Sequence, residues 1–198
     1  MPSSESPAAA HPLIFVLSGP SGTGKGTIVD ALVSADETLW LSRSWTTRQR
    51  RKNESPYAYR FVDSETFQRH VAEGGFLEFA EVFGNFYGTP VPTAPAGCDV
   101  VLEIDVQGAN QVRTKYPDAV LIFVEPPNRA AQEARLRSRG DDDAVIAKRL
   151  AKAEAEEEIG HQIANHVVVN DWLERAVAEV AGIVEAHRAR RDAQRPSF

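Results

Sequence analysis

The chain has 198 residues, 42% of them hydrophobic and 25% charged, with a net charge of −6; this fits one folded domain with room for inserted subdomains and excludes a multi-domain array or wholesale disorder. Its single cysteine, Cys98, excludes an internal disulfide framework and a cysteine-built zinc site. No apolar run approaches the ~20 residues that span a bilayer, and the acidic balance gives no overall footprint for nucleic acid, so a soluble, cytoplasmic protein without membrane or nucleic-acid partners is expected.

Residues 1–12 are Ser-, Ala- and Pro-rich and are read as a disordered extension; Glu5 and the lack of an early Lys or Arg argue against a signal peptide. Leu13-Ile14-Phe15-Val16-Leu17 is a continuous apolar run that ends in Ser18-Gly19-Pro20, a buried strand entering a turn. Helical spacing follows over Thr27 to Val33. Val100 to Ile104, Val120 to Val124 and Val167 to Val169 are further buried strands, with helices expected at Gln107 to Lys115, Arg129 to Arg137, Ala144 to Ile159 and Leu173 to Arg188. Strands buried on both faces and alternating with helices predict a parallel α/β sheet. Trp40 to Tyr87 differs: it is rich in Arg, aromatic and polar residues, with short strands and one helix over Ser64 to Glu73, capped by Ser64 and stopped by Gly74-Gly75. It reads as an inserted α+β subdomain. Cys98 is expected as core filler, and Asp141-Asp142-Asp143 as a helix cap. Arg188, Arg190, Arg191 and Arg195 make the end basic; a frayed helix end is favoured there over a nucleic-acid contact.

The strongest signal is Gly19-Pro20-Ser21-Gly22-Thr23-Gly24-Lys25-Gly26-Thr27, which follows a predicted strand and opens a predicted helix. That is the context of a phosphate-binding loop. Glycines let consecutive amides and the helix N-terminus face phosphate oxygens, and Lys25 brings a point charge to the terminal phosphates. The strict pattern puts Ser or Thr directly after the lysine to ligate magnesium; here Gly26 stands there and the hydroxyl follows at Thr27, so Thr27 is a weak metal candidate and metal contact through water is expected. Glu103 and Asp105 follow a buried strand, where ligands gather in α/β sheets. Either can hold hydrated magnesium or touch an acceptor, and strand alternation puts both on one face.

The loop, Ser44-Trp45-Thr46-Thr47-Arg48, Phe76-Leu77-Glu78-Phe79-Ala80-Glu81, Gly84-Asn85-Phe86-Tyr87-Gly88-Thr89, Leu102-Glu103-Ile104-Asp105-Val106-Gln107-Gly108 and Val168-Val169-Asn170-Asp171 together resemble guanylate kinase, in that family's order and over nearly the whole chain. The resemblance implies a P-loop NTPase-type parallel sheet flanked by helices: a core of residues 13–43, 92–134 and 153–187 for ATP, a GMP-binding subdomain at 44–91, a helical lid at 135–152 and a basic tail at 188–198. It implies ATP plus GMP giving ADP plus GDP with Mg2+, and dGMP as a further acceptor. Arg48 and Arg51 look like the pair gripping the GMP phosphate, a task suited to planar guanidinium forks, with Glu54, Tyr59 and Tyr87 beside them. Guanine offers N1–H and a 2-amino group as donors, so an acceptor-only carboxylate selects it over adenine; the family-matched carboxylate is Glu78, helped by Ser44 and Thr89, with Asp105 also placed in the site. Arg135, Arg139 and Arg149 match lid and transfer arginines, and Asn170 a position near the adenine.

The chain departs from the family in places. Trp45 stands where a small residue is usual, Lys52-Asn53-Glu54 replaces a Pro/Gly turn, Ala58 stands for Asp, the stretch from Glu54 to Tyr59 is one residue shorter, and Trp172 replaces a second acid. These bear on GMP affinity more than on ATP binding. Two rivals are a P-loop kinase with another acceptor, such as ribose 1,5-bisphosphate, and a non-catalytic protein-binding module of the same fold. Glu78, Arg48, Arg51 and Tyr87 weigh against the first, and the intact loop with Lys25 against the second.

Overall fold

The computed structural model describes residues 11–52 and 54–194; most of the expected N-terminal extension, Asn53 and Arg195 lie outside the described residues. β1 (Ile14–Ser18) runs into the glycine-rich loop and α1 (Lys25–Ala35) leaves it. There follow β2 (Leu39–Ser42), β3 (Trp45–Thr46), β4 (Arg60–Phe61), α2 (Ser64–Ala72), β5 (Phe76–Val82), β6 (Asn85–Pro90), β7 (Asp99–Glu103) and α3 (Val106–Lys115). The chain continues through β8 (Val120–Glu125), α4 (Arg129–Ser138), α5 (Asp143–Ile163), β9 (His166–Val169) and α6 (Leu173–Ala193).

Five strands in the order β2-β7-β1-β8-β9 form the main sheet, and every pairing in it is parallel, as the unbroken apolar runs predict. The runs are unbroken because both faces are covered. Phe15 and Leu17 of β1 pack with Ile28 and Val29 of α1 and with Ala176 and Val180 of α6. Val16, one residue between them, points the other way, onto Leu102, Ala109 and Val112. Phe15, Leu17 and Ile28 are completely buried, each favouring the fold by roughly 1.5–3 kcal/mol relative to exposure. β2 was not expected. Its four residues, Leu39-Trp40-Leu41-Ser42, form an edge strand on β7 that is only partly covered, so it lacks a continuous apolar signature.

The inserted segment carries a second sheet, β4-β3-β6-β5, antiparallel except for β3 on β4, over a small core of Trp45, Phe67 and Phe76. Its strands are not all short: β5 has seven residues and β6 six. Val82 pairs with Asn85, so the hairpin turns on Phe83-Gly84 alone, both at positive φ (51° and 74°), as a two-residue turn matched to strand twist requires. Trp45 belongs to this core, stacked on His70 with ring centroids 4.2 Å apart and under the Arg60 guanidinium at 4.0 Å. The expected cap of α2 moves by one residue: Asp63, not Ser64, accepts from the Thr66 amide at 2.7 Å, and its carboxylate also suits the positive end of the helix.

At the far end, α6 runs on to Ala193. Arg188 donates to Asp99 at 2.8 Å and to Asp36 at 2.7 Å, and Arg191 to Asp99 at 2.8 Å. Residues 188–193 therefore continue a helix, and two of the expected tail arginines tie it to the buried Asp99 at the start of β7 rather than standing free for a polyanion. Cys98 is half-buried, its thiol 3.8 Å from the Glu37 carbonyl oxygen, and is not the core filler expected. No helix among the described residues is long and apolar enough to cross a membrane.

Candidate active site

The carboxyl ends of β1 and β7, the loop after β1, the second sheet, the residue that follows α4 and the helix α5 enclose one cleft that opens to solvent. Its first wall is the loop. Gly19 has φ +143°, and a Cβ there would lie 2.2 Å from the carbonyl oxygen of Val124; only glycine lets the loop start this close to β8. The side chain of Lys25 folds back, its Nζ donating to the carbonyls of Gly19 at 2.6 Å and Pro20 at 2.9 Å. Burial pushes the Lys25 pKa down despite the attraction of Glu103. Gly19, Ser21, Gly22, Gly24 and Lys25 face the cleft, whereas Pro20, Thr23, Gly26 and Thr27 do not line it. Thr23 is buried, with its hydroxyl on the Pro20 carbonyl at 3.1 Å. Thr27 is exposed and is not among the residues lining the cleft. At Gly26 a Cβ would come within 3.4 Å of both Glu103 carboxylate oxygens, so the acid occupies the side of the loop where the strict motif places its hydroxyl.

The opposite wall comes from the second sheet. Arg48 donates through Nε to the Tyr87 hydroxyl at 3.1 Å and through Nη2 to Glu54 at 2.7 Å. Glu54 also accepts from the Arg51 amide at 3.1 Å, and these bonds hold its pKa below the usual value although burial opposes them. Burial pushes the Tyr59 pKa up, so its phenol stays a neutral donor. Arg48, Arg51, Tyr59 and Tyr87 face the cleft, and Glu54 braces the two arginines from behind.

Glu78 is 4% exposed. Its Oε1 accepts from the Thr89 amide at 3.0 Å, and Thr89 and Ser44 share a hydroxyl contact of 3.2 Å. Burial raises the Glu78 pKa to about 7; the bonds from Thr89 hold it down and the negative charge of Asp105 adds to the rise. Asp105 begins a helix rather than extending the strand: it is the N-cap of α3 and accepts from the Gly108 amide at 2.9 Å. Helix capping, not the strand alternation expected, therefore sets its direction. Its Oδ2 is buried without a partner. Glu103, the last residue of β7, also faces the cleft, and burial raises its pKa.

Of the three expected lid arginines, Arg139 and Arg149 line the cleft. Arg149 donates to Asp141 at 2.5 Å, while the neighbouring Asp142 caps α5 through the Val145 amide at 2.8 Å. Arg135 does not line the cleft. It donates to the carbonyls of Thr23 at 3.0 Å and Asn170 at 2.8 Å, and Asn170 itself donates to Thr23 at 2.8 Å, so both brace the shoulder of the loop. Sequence reasoning missed Gln132, fully buried on α4 with its amide on the Ser21 carbonyl at 2.8 Å, and Phe83, Ile104 and Glu156 in the cleft lining. The departures Trp45, Ala58 and Trp172 are all outside that lining, the last 70% exposed at the start of α6.

The family model described as Guanylate kinase matches residues 11–187. A guanylate kinase of Xylella fastidiosa is 46% identical over 189 residues, 92% of this chain and 92% of that protein. One of Nitrosomonas europaea is 48% identical over 182 residues, 88% of this chain and 90% of that protein. The crystal structure of guanylate kinase from Anaplasma phagocytophilum superposes with a TM-score of 0.68 at 32% identity, covering 90% of this chain and 87% of that one. With the family model matched over residues 11–187 and relatives 46–48% identical across about nine-tenths of its length, the chain belongs to the guanylate kinase family.

Proposed function

We infer that the protein transfers the γ-phosphoryl group of ATP to GMP, giving ADP and GDP, and that dGMP is a second acceptor. The observation that carries this reading is a cleft with the glycine-rich loop and Lys25 on one wall and, on the other, an arginine–tyrosine cluster beside the buried acid Glu78. Phosphoryl transfer asks for positioning and charge neutralisation rather than covalent help. The loop amides and Lys25 hold the ATP phosphates. Arg48, Arg51, Tyr59 and Tyr87 hold the acceptor phosphate, with Glu54 fixing the arginine forks. Glu78, backed by Thr89 and Ser44, accepts from guanine N1–H and the 2-amino group. Arg139 and Arg149 screen the phosphoryl group in transit, and Arg135 and Asn170 fix the shoulder of the loop on the adenine side. Such freely diffusing substrates go with a cytoplasmic site of action.

Magnesium fits these residues. Of the carboxylates lining the cleft, Glu103 and Asp105 stand at the carboxyl end of β7, and Asp105 has a buried unpartnered oxygen. No cluster of three or more ligating side chains occurs among the described residues, which suits an ion that keeps its water and rides on nucleotide phosphates. Glu103 and Asp105 would hold the hydrated ion, whereas Thr27 does not line the cleft. Bound there, the ion would neutralise phosphate charge.

A coupled ADP-release assay across GMP, dGMP, AMP, UMP and CMP, with ribose 1,5-bisphosphate as a further arm and with and without magnesium, tests the reading. Turnover confined to GMP and dGMP is expected. Equal turnover of AMP or of the sugar phosphate would overturn the guanine assignment, and nucleotide binding without ADP production would favour the binding-module alternative. Gly108 provides a sharper test. A Cβ there would lie 2.5 Å from Glu78 Oε2, although alanine is the better helix former by ~1 kcal/mol. Gly108→Ala should therefore leave the KM for ATP within about twofold and raise that for GMP by roughly tenfold to a hundredfold, the scale of a displacement near 1 Å at a positioned group. Steady-state kinetics with each substrate varied in turn reads this, and an unchanged KM for GMP would remove Glu78 from the acceptor site.

A further inference from the structure

We propose that Phe83, at the tip of the β5–β6 hairpin, is a positioning residue that seats the lid helix α5 against the acceptor-binding sheet and so aims Arg149 at the transferring phosphoryl group. The proposal rests on the reading of Arg149 given above.

Phe83 is an unexpected residue for its place. The first position of this two-residue turn requires positive φ, which glycine, asparagine and aspartate adopt readily and a bulky aromatic does not; Phe83 nevertheless sits at φ 51°. The residue is 47% exposed, so core packing does not explain it. It lines the cleft and is met by two cations from α5: the Arg149 guanidinium 5.9 Å from the ring centroid and the Lys152 ammonium at 5.3 Å. Both distances fall within the range of cation–π attraction, which is favourable even at exposed sites. The direction of the contact matters. Arg149 is otherwise held by Asp141, and Lys152 by Glu156 of its own helix. Those pairs fix the cations within the lid segment and its helix, and cannot register them against the second sheet. The Phe83 ring reaches both cations from that sheet, while Arg51 and Tyr87 act on Arg149 alone and only through their charge. Nothing at the guanidinium competes with it through Nε, which is buried without a hydrogen-bond partner. A strained, half-exposed aromatic thus stands where an asparagine would relax the turn, and its ring faces the arginine that must be aimed.

Phe83→Asn separates this role from a structural one, because asparagine suits the turn and removes the ring. The melting temperature should stay level or rise. The turnover number should fall roughly tenfold, the scale of losing two cation–π contacts, with the KM for GMP within about twofold. Phe83→Trp, which keeps an aromatic face, should restore most of the turnover. Arg149→Ala should lower kcat by itself, and adding Phe83→Asn to it should cost little more. Unchanged kcat in Phe83→Asn, or a Phe83→Trp variant as slow as Phe83→Asn, overturns the proposal while leaving the role of Arg149 standing. Unchanged kcat in Arg149→Ala overturns both.

Discussion

Lys25→Ala is expected to lower kcat by roughly a hundredfold or more, the cost of one charge-stabilising donor at a centre where negative charge gathers, with little loss of stability. The side chain is short of compensation where it sits. Its Nζ donates to two main-chain carbonyls, and burial depresses its pKa more than Glu103 raises it. A cation held this way would be attracted strongly by the triphosphate proposed to lie against it, because the surroundings screen it poorly. Removing it frees the Gly19 carbonyl, but Pro20 still accepts from the Thr23 hydroxyl and the loop keeps its other supports, the Gln132 amide on Ser21 and Asn170 and Arg135 on Thr23. The fold should therefore survive, and calorimetry alongside steady-state kinetics separates the two effects. Lys25→Arg should not rescue activity, since a planar fork cannot replace a compact ammonium in so close a loop. A well-folded Lys25→Ala variant with kcat within threefold of the parent would remove Lys25 from the chemistry.

The loop was legible because its signal is local. Strand, four glycines, lysine and helix lie within a short stretch, and each residue acts through its own backbone or a neighbour's. The core strands were legible for a related reason: burial on both faces leaves runs such as Val120 to Val124 with no polar residue. Legibility failed where a residue acts across the fold. Gln132 supports Ser21 from 111 positions away, and nothing near it in sequence hints at that. Arg188 resembled a tail cation because its partners, Asp99 and Asp36, are 89 and 152 positions distant. Arg135 shared a lid motif with Arg139 and Arg149, yet its position on α4 turns it to the loop carbonyls instead of the cleft. Phe83 escaped notice because exposed aromatics are common, and only the turn angle with the two cations above it marks it out.

Glu78→Gln should reduce kcat/KM for GMP roughly a hundredfold or more, while ATP binding persists. Two hydrogen bonds to a charged acceptor are at stake, each worth ~1.5–3 kcal/mol, and the amide that replaces one oxygen presents donors to a base edge that also donates. If Glu78 reads the base as proposed, the same carboxylate makes GMP binding depend on pH. Burial raises its pKa to about 7, but guanine requires it ionised, so below neutrality binding must expel a proton from Glu78. The KM for GMP should fall as pH rises from 6 to 8 and then level off. The GMP phosphate titrates near pH ~6, so the comparison with Glu78→Gln, which lacks the carboxyl term, isolates the protein's share. Calorimetry in two buffers of different ionisation enthalpy should show proton release on GMP binding near pH 6 in the parent in excess of that in the variant. The unliganded protein carries the opposite sign. A carboxyl whose folded pKa exceeds its unfolded value, ~4.3, makes its full stabilising contribution at lower pH and loses it as pH rises through about 7. The loss is on the order of 3 kcal/mol across that window for a side chain this well buried. The parent should therefore lose stability relative to Glu78→Gln between pH 5 and 8, and saturating GMP should offset that loss at the upper end, because the ligand binds the ionised form that the empty pocket penalises. Equal pH slopes for parent and variant, in both stability and KM, would show that Glu78 neither titrates near neutrality nor reads the base.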